Sequence, residues 1–260
     1  MQVRAKKHLG QHFLTDKHIA KRIVDSLKGN ENYTIVLEIG PGKGILTDWL
    51  IQLPNRILFA LDIDKESILY LHQKYPTLED KIIEADVLTF NFSSLFTGNF
   101  AVIGNFPYNI SSQILFKVLE MKDQVPEVVG MFQKEVAQRI CASPSNKEYG
   151  ILSVLIQAFY KTNYLFTVNA GSFFPPPKVK SGVLRLERHE NYHLNCDEKL
   201  FFQLVKAGFN QRRKTLRNAL SAIAIGGSEF PFSDRRAESL NVAEFVELTL
   251  YFQSIKAVKL

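Results

Sequence analysis

The stretch Ile35-Val36-Leu37-Glu38-Ile39-Gly40-Pro41-Gly42-Lys43-Gly44 decides the fold. A short apolar run that ends abruptly in turn residues reads as a strand buried on both faces. Three glycines at every second position then predict a tight turn, and a helix is expected across 44–53. Working outward, Arg56–Leu61 reads as a second strand followed by a helix over 65–74. Lys81–Ala85, Phe100–Gly104 and Glu127–Phe132 read as three more strands, the last bounded by Pro126. Strands alternating with helical stretches predict an α/β fold around a mostly parallel, Rossmann-like sheet. Apolar segments near 162–168 and 181–187 are read as closing that sheet with a hairpin-like pair.

On either side the texture is helical. Residues 16–28 read as a helix with Thr15 or Asp16 as its N-cap, and Tyr149–Tyr160 as an amphipathic helix. Beyond residue 187 the expected helices are 197–209, 214–224 and 242–256, with a break at Gly226-Gly227-Ser228 and Pro231. The expected domains are a catalytic sheet domain over 1–187 and a small helical domain over 188–260.

Composition bounds the class. Of 260 residues, 46% are hydrophobic and 22% charged, the balance of a folded globular chain rather than a disordered one. No apolar run approaches a membrane span, and the N-terminal residues lack the apolar core of a signal peptide. Cys141 and Cys196 stand far apart in no metal-binding pattern, which fits a reduced, cytoplasmic setting. The histidines show no ligand spacing, so no metal is expected, and no oligomer motif is visible, so a monomer is expected. The net charge is +6, which favours a polyanionic partner. Residues 1–184 carry 20 Lys/Arg against 17 Asp/Glu and residues 185–260 carry 12 against 9, so neither part is a basic domain. Two clusters matter more than the total: Arg4, Lys6, Lys7, Lys17, Lys21 and Arg22, opposed only by Asp16; and Lys206, Arg212, Arg213, Lys214 and Arg217, with no acid between them.

The loop from Glu38 to Gly44 places Ile45 where a dinucleotide fingerprint needs its third glycine. The spacing E-x-G-x-G-x-G suits a cofactor without a pyrophosphate, such as S-adenosylmethionine. Asp62, after the second strand, can accept hydrogen bonds from both ribose hydroxyls. Asp86, after the third, can accept from the adenine amino group. Ligands of open α/β sheets bind beyond the carboxyl ends of the strands, where Gly40, Gly42, Asp62 and Asp86 all lie. The fourth strand ends in Asn105-Phe106-Pro107-Tyr108. The exocyclic amine of adenine is a weak nucleophile because its lone pair is delocalised into the ring. An Asn side-chain carbonyl and a neighbouring backbone carbonyl can accept both amine hydrogens and aim the lone pair at a sulfonium methyl. Pro107 presets the loop, Tyr108 can stack on a flipped base, and Phe173 is a candidate second stacking partner.

At these residues the sequence resembles the small-subunit ribosomal RNA adenine N6,N6-dimethyltransferases, essentially from end to end. Gly10-Gln11-His12-Phe13-Leu14 matches the family's N-terminal motif, Glu38–Gly44 its cofactor loop and Asn105–Ser111 its N-L-P-Y-N-I-S motif. Phe173–Ser181 matches F-x-P-x-P-K-V-x-S, and Phe209–Asn218 matches F-x-Q-R-R-K-T-L-R-N. The resemblance implies that His12 and Leu14 contact S-adenosylmethionine, with Gln11 nearby, and that S-adenosylhomocysteine is the product. It implies that Gly40 lines the methionine end, Asp62 takes the ribose, Asp86 the adenine, and Asn105 joins cofactor to target. The implied substrate is a pair of adjacent adenosines in the 3′-terminal hairpin of 16S RNA within an immature 30S particle, each methylated twice. Asp62 stands where Glu is commoner and Phe106 where Leu is commoner, departures expected to weaken the ribose contact and reshape the target pocket slightly. Arg212, Arg213, Lys214 and Arg217 are expected to dock phosphates of the subunit; the loop 143–147 is a further candidate RNA contact. Two rival readings remain: a macrolide-resistance methyltransferase acting on 23S RNA, and a ribosome assembly factor whose catalysis is dispensable.

Overall fold

The computed structural model describes residues 3–29, 32–223 and 229–257, so the expected break at Gly226-Gly227-Ser228 and the last residue of the expected helix 214–224 lie outside the described residues. The chain forms two compact units: residues 1–137 with 162–188, and residues 138–161 with 189–260.

In the first unit a short strand β1 (Phe13–Leu14) precedes helix α1 (Lys17–Val24), whose N-terminal amides are capped by the Asp16 carboxylate. Strand β2 (Ile35–Ile39), helix α2 (Thr47–Leu50), β3 (Ile57–Asp62), helix α3 (Lys65–Lys74), β4 (Ile82–Glu84), β5 (Phe100–Asn105), helix α4 (Ser111–Glu120) and β6 (Glu127–Gln133) follow. Helix α5 (Lys134–Ile140) carries the chain into the second unit, where helix α6 spans Ile151–Gln157. Strand β7 (Tyr160–Val168), the two-residue β8 (Phe173–Phe174) and β9 (Ser181–Arg188) return to the first. The seven-stranded sheet has the order β4-β3-β2-β5-β6-β9-β7, and β1 pairs with β8 in a separate two-stranded ladder. The strands from β4 to β6 run parallel, and β9 is antiparallel to β6. The strand order reverses between β2 and β5, which opens a crevice at their carboxyl ends. Strands β7 and β9 close the sheet as neighbours, as expected of the segments near 162–168 and 181–187, with β9 on the β6 side and β7 at the edge.

The parallel strands form where the sequence offers unbroken apolar runs. Val36, Leu37 and Ile39 of β2 and Phe100–Ile103 of β5 are all buried, as a sheet covered on both faces requires. Helix α2 is much shorter than the expected 44–53. Past Leu50 the Gln52 and Leu53 amides donate only three residues back, to Trp49 O and Leu50 O, so that flank is a tight turn, while Asp48 N–H and Leu50 N–H keep helical bonds to Gly44 O and Leu46 O. Helices α4 and α5 lie between expected strands in segments to which the sequence assigned no element.

The second unit is helical: α6, α7 (Glu198–Asn210), α8 (Leu216–Ala219) and α9 (Val242–Ala257). The single expected domain cut after residue 187 is corrected here, because 138–161 belongs with these helices. Leu152, Val154, Leu155 and Ile156 of α6 are buried, and the Tyr149 hydroxyl donates to Leu240 O at 2.9 Å. Helix α8 is shorter than the expected 214–224. The Leu216 and Arg217 amides, free of intrahelical partners in the first turn, donate to Arg235 O and Ser233 O, and after Leu220 the Ile223 amide donates only three residues back, to Leu220 O. No described helix is long and apolar enough to cross a membrane.

Candidate functional site

The crevice beyond β2 and β5 holds a cavity with about 880 Å³ of space free of protein atoms, partly open to solvent. Gly40, Gly42, Asp62, Asp86, Asn105 and Tyr108 line it, as do Gln11 and His12. At the end of β2 the chain turns through Gly40 and Gly42, both left-handed, with φ of 69° and 55°. Gly42 has a second constraint: a Cβ there would lie 2.8 Å from the Phe13 ring. The loop is tied to the next strand through Gly40 N–H to Leu61 O, 2.9 Å.

Asp62 ends β3 and is only 7% exposed. Its carboxylate accepts from the amides of Asp64 (2.9 Å) and Gly42 (3.3 Å). Burial pushes its pKa up to about 6 against those bonds. Behind the loop, the buried Glu38 accepts from the Thr47 hydroxyl at 2.6 Å, and burial drives its pKa to about 8. Glu38 lies outside the main cavity and lines a smaller one with Leu14, Gly40 and Asn105. Asp86 accepts from the Leu88 amide at 2.9 Å, and the apolar Ile63 and Val87 line the same wall. A buried carboxylate, a second acidic side chain and an apolar wall beside a glycine cradle fit the ribose and adenine of S-adenosylmethionine.

Asn105 ends β5, and its Nδ2 donates to the His12 carbonyl at 2.9 Å. A carbonyl can only accept, so this bond fixes which way the amide faces. Oδ1 is left without a donor among the described residues. The Tyr108 hydroxyl lies 2.5 Å from Ser181 Oγ, and its ring centroid is 5.4 Å from that of His12. Burial raises the Tyr108 phenol above its ordinary pKa, against the Ser181 bond.

The N-terminal arm covers this side. His12 Nδ1 lies 2.7 Å from Pro175 O, and the Asn109 amide donates to His8 O at 3.3 Å. Lys6 Nζ meets Asp64 at 2.5 Å and Gln11 Nε2 meets it at 3.1 Å, so the arm is clasped to the start of α3. Burial alone would raise the Asp64 carboxyl; the bonds from Lys6 and Gln11 outweigh it and hold it low. Sequence reasoning missed Asp64 as an anchor. Its one visible signal was its position before Lys65-Glu66-Ser67, where it caps α3.

The expected role of Phe173 needs correction, and the surroundings of Phe106 and of the basic cluster refine two others. The Phe106 ring is buried edge-on against Phe132 at 5.1 Å, over Gly130, where a Cβ would lie 2.4 Å from it. Phe106 still lines the cavity, but it is only 1% exposed, so its ring supports the loop from below. Phe173 is 4% exposed and belongs to the apolar core with Leu14 and Val168, so it is not brought to the cavity. In the second unit the four basic residues split. Arg212 bonds Glu238 at 2.7 Å and Lys147 O at 2.5 Å, and Arg217 pairs with Asp234 at 2.8 Å. Arg213 and Lys214 are exposed, with no ion pair among the described residues.

Known proteins resemble the chain as follows. Residues 2–259 match the ribosomal RNA adenine dimethylase family. A ribosomal RNA small subunit methyltransferase A of Cytophaga hutchinsonii is 56% identical over 250 residues, which cover 95% of this chain and 97% of that one. A dimethyladenosine transferase from Plasmodium falciparum, known by crystal structure, superposes with a TM-score of 0.79 at 26% identity, over 94% of this chain and 98% of that one. The 23S rRNA methyltransferase ErmE superposes at 0.66 with 23% identity, over 91% and 99%, a likeness of fold alone.

Proposed function

The chain belongs to the ribosomal RNA adenine dimethylase family, and from that premise we propose that it dimethylates the N6 amines of two adjacent adenosines in the 3′-terminal hairpin of small-subunit (16S) RNA. The reaction draws its methyl groups from S-adenosylmethionine and takes place on an immature 30S particle, by a monomer in the cytoplasm. The observation that carries the site assignment is the orientation of Asn105. Its Nδ2 is held by His12 O, which leaves Oδ1 to accept from an amine.

S-adenosylmethionine, when bound, supplies an electrophilic methyl on a sulfonium. Asp62 accepts the ribose hydroxyls, Asp86 the adenine amine, and Gly40 and Gly42 let the backbone approach the methionine end. Gln11 and His12 close the arm over it, Leu14 backs the Gly40 loop from the smaller cavity, and Glu38 supports the loop through Thr47. The target adenosine leaves its stack and enters beside Tyr108. Asn105 Oδ1 and a backbone carbonyl of the Asn105–Pro107 turn accept the N6 hydrogens and hold the lone pair toward the methyl. Methyl transfer would leave a charged amine whose proton passes to solvent, so the chain needs to supply no strong base. After the first transfer one N6 hydrogen remains, and one acceptor suffices to orient the second. Arg213 and Lys214 reach phosphates of the subunit.

Labelled methyl transfer to unmethylated small subunits, with the modified nucleotides mapped, tests this reading. N6,N6-dimethyladenosine in the 3′-terminal hairpin, absent with Asn105→Ala, is the expected result. Label in large-subunit RNA would return the chain to the macrolide-resistance reading. Intact binding without label would favour an assembly factor.

A further inference from the structure

We propose that Phe174 is a stacking platform for an RNA base flanking the adenosine held at Asn105, an inference that rests on the target site assigned above. Strand β8 contains only Phe173 and Phe174, and the two-residue period of a strand sends them to opposite faces. Phe173 enters the core, while Phe174 remains 66% exposed, the most exposed of the large apolar side chains among the described residues. Val179, five residues on, is 46% exposed. Lys178 and Lys180 on either side of it are exposed as well.

The position of this loop ties it to the target side. Phe174 is the ladder partner of Phe13, which lines the main cavity. The next residue, Pro175, receives His12 Nδ1, and Ser181 at the far end of the loop holds the Tyr108 hydroxyl. Lys134 N–H donates to Lys180 O at 2.9 Å, so the loop is fixed at both ends. An anchored, exposed aromatic face in one loop with two exposed lysines offers what a single-stranded nucleotide needs: a surface for its base and positive charge for its phosphate. Flipping the target adenosine unstacks its neighbour, and Phe174 supplies the face that the neighbour loses. A base of any identity satisfies this contact, so it contributes grip rather than sequence choice.

The full chain and unmethylated small subunits test the proposal, comparing Phe174→Trp, Phe174→Leu and Phe174→Ala for methyl transfer. Stacking predicts that Trp preserves kcat/KM, while Leu and Ala lower it by about tenfold through KM. Cofactor affinity and melting temperature should stay at wild-type values, because the side chain is exposed. Wild-type kcat/KM in Phe174→Ala would overturn the proposal. So would full activity in Phe174→Leu beside a deficient Ala variant, since an apolar protein contact needs no π face. Should wild type label only large-subunit RNA, the target reading fails, and the same variants judge Phe174 on that RNA.

Discussion

On the cofactor side of the cavity the groups are neighbours in the chain: Gly42 bonds Asp62 across 20 residues and Thr47 bonds Glu38 across 9. On the target side the partners are distant. Asn105 is aligned by His12 across 93 residues, His12 meets Pro175 across 163, and Tyr108 meets Ser181 across 73. The cofactor side is complete once parallel strands carry their loops to one edge. The target side also needs the arm and the 173–181 loop to come together over Asn105. Closing such long loops costs more entropy, so target geometry can be lost while the sheet and its cofactor loop persist.

The largest expected effect separates the two sides. Asn105→Ala should lower kcat by about 10²–10³-fold, the usual cost of removing one preorganised polar group from a transition state. Cofactor affinity by calorimetry should change little, and a collapse of that affinity would show that the sides cannot be separated. Asp62→Asn is the converse. Losing a charge-assisted acceptor should weaken the cofactor by about 10–100-fold, with kcat recovered at saturation. Asp62 has its pKa raised to about 6, and hydroxyl donors need the ionised form. Wild-type affinity should therefore fall as pH drops through that value, while the Asn variant stays flat between pH 5 and 8.

The same division explains what could be read in advance. The strands, the glycine turn, Asp62, Asp86 and the Asn105 loop are local patterns, and the structure places them around one crevice. The roles of Phe173 and Phe174 were not legible, because both are aromatic and a two-residue strand has no periodicity to say which faces inward. The Lys6–Asp64 clasp spans 58 residues, and nothing near Lys6 marks it among the other lysines of its cluster. Arg212 looked equivalent to Arg213 until folding brought Glu238 beside it. Helices α4 and α5 fall in segments to which the sequence reading assigned no element.

The basic residues of the second unit give a smaller, graded effect. Arg213→Ala with Lys214→Ala should weaken binding to small subunits several-fold and reduce the salt-dependence slope by about one per residue. Arg212→Ala should leave the slope closer to wild type, since its guanidinium is already committed to Glu238 and Lys147 O. A loss of slope in Arg212→Ala equal to the per-residue loss in the double variant would mean that the ion pair opens on the subunit.

The smallest effect lies on the cofactor side and tests whether its two buried acids, Glu38 and Asp62, have different tasks. Glu38 is held by Thr47 with its pKa raised from an ordinary 4.5 to about 8, so the unfolded chain gives up this proton well before the folded one. Its contribution to stability is complete below about pH 4.5 and is lost as pH rises through about 8. Glu38→Gln keeps an acceptor for the Thr47 hydroxyl and removes the titration. The variant should therefore melt with a flatter pH profile, and near pH 8 it should match or exceed wild type by about 2–4 °C for each kcal/mol recovered. Its kcat should stay close to wild type, because Glu38 bonds the loop through Thr47 while Asp62 is the proposed ligand contact. A large loss of cofactor affinity in Glu38→Gln would instead make the ionised carboxylate a direct contact, and the smaller cavity beside Gly40 and Asn105 would become part of the cofactor site.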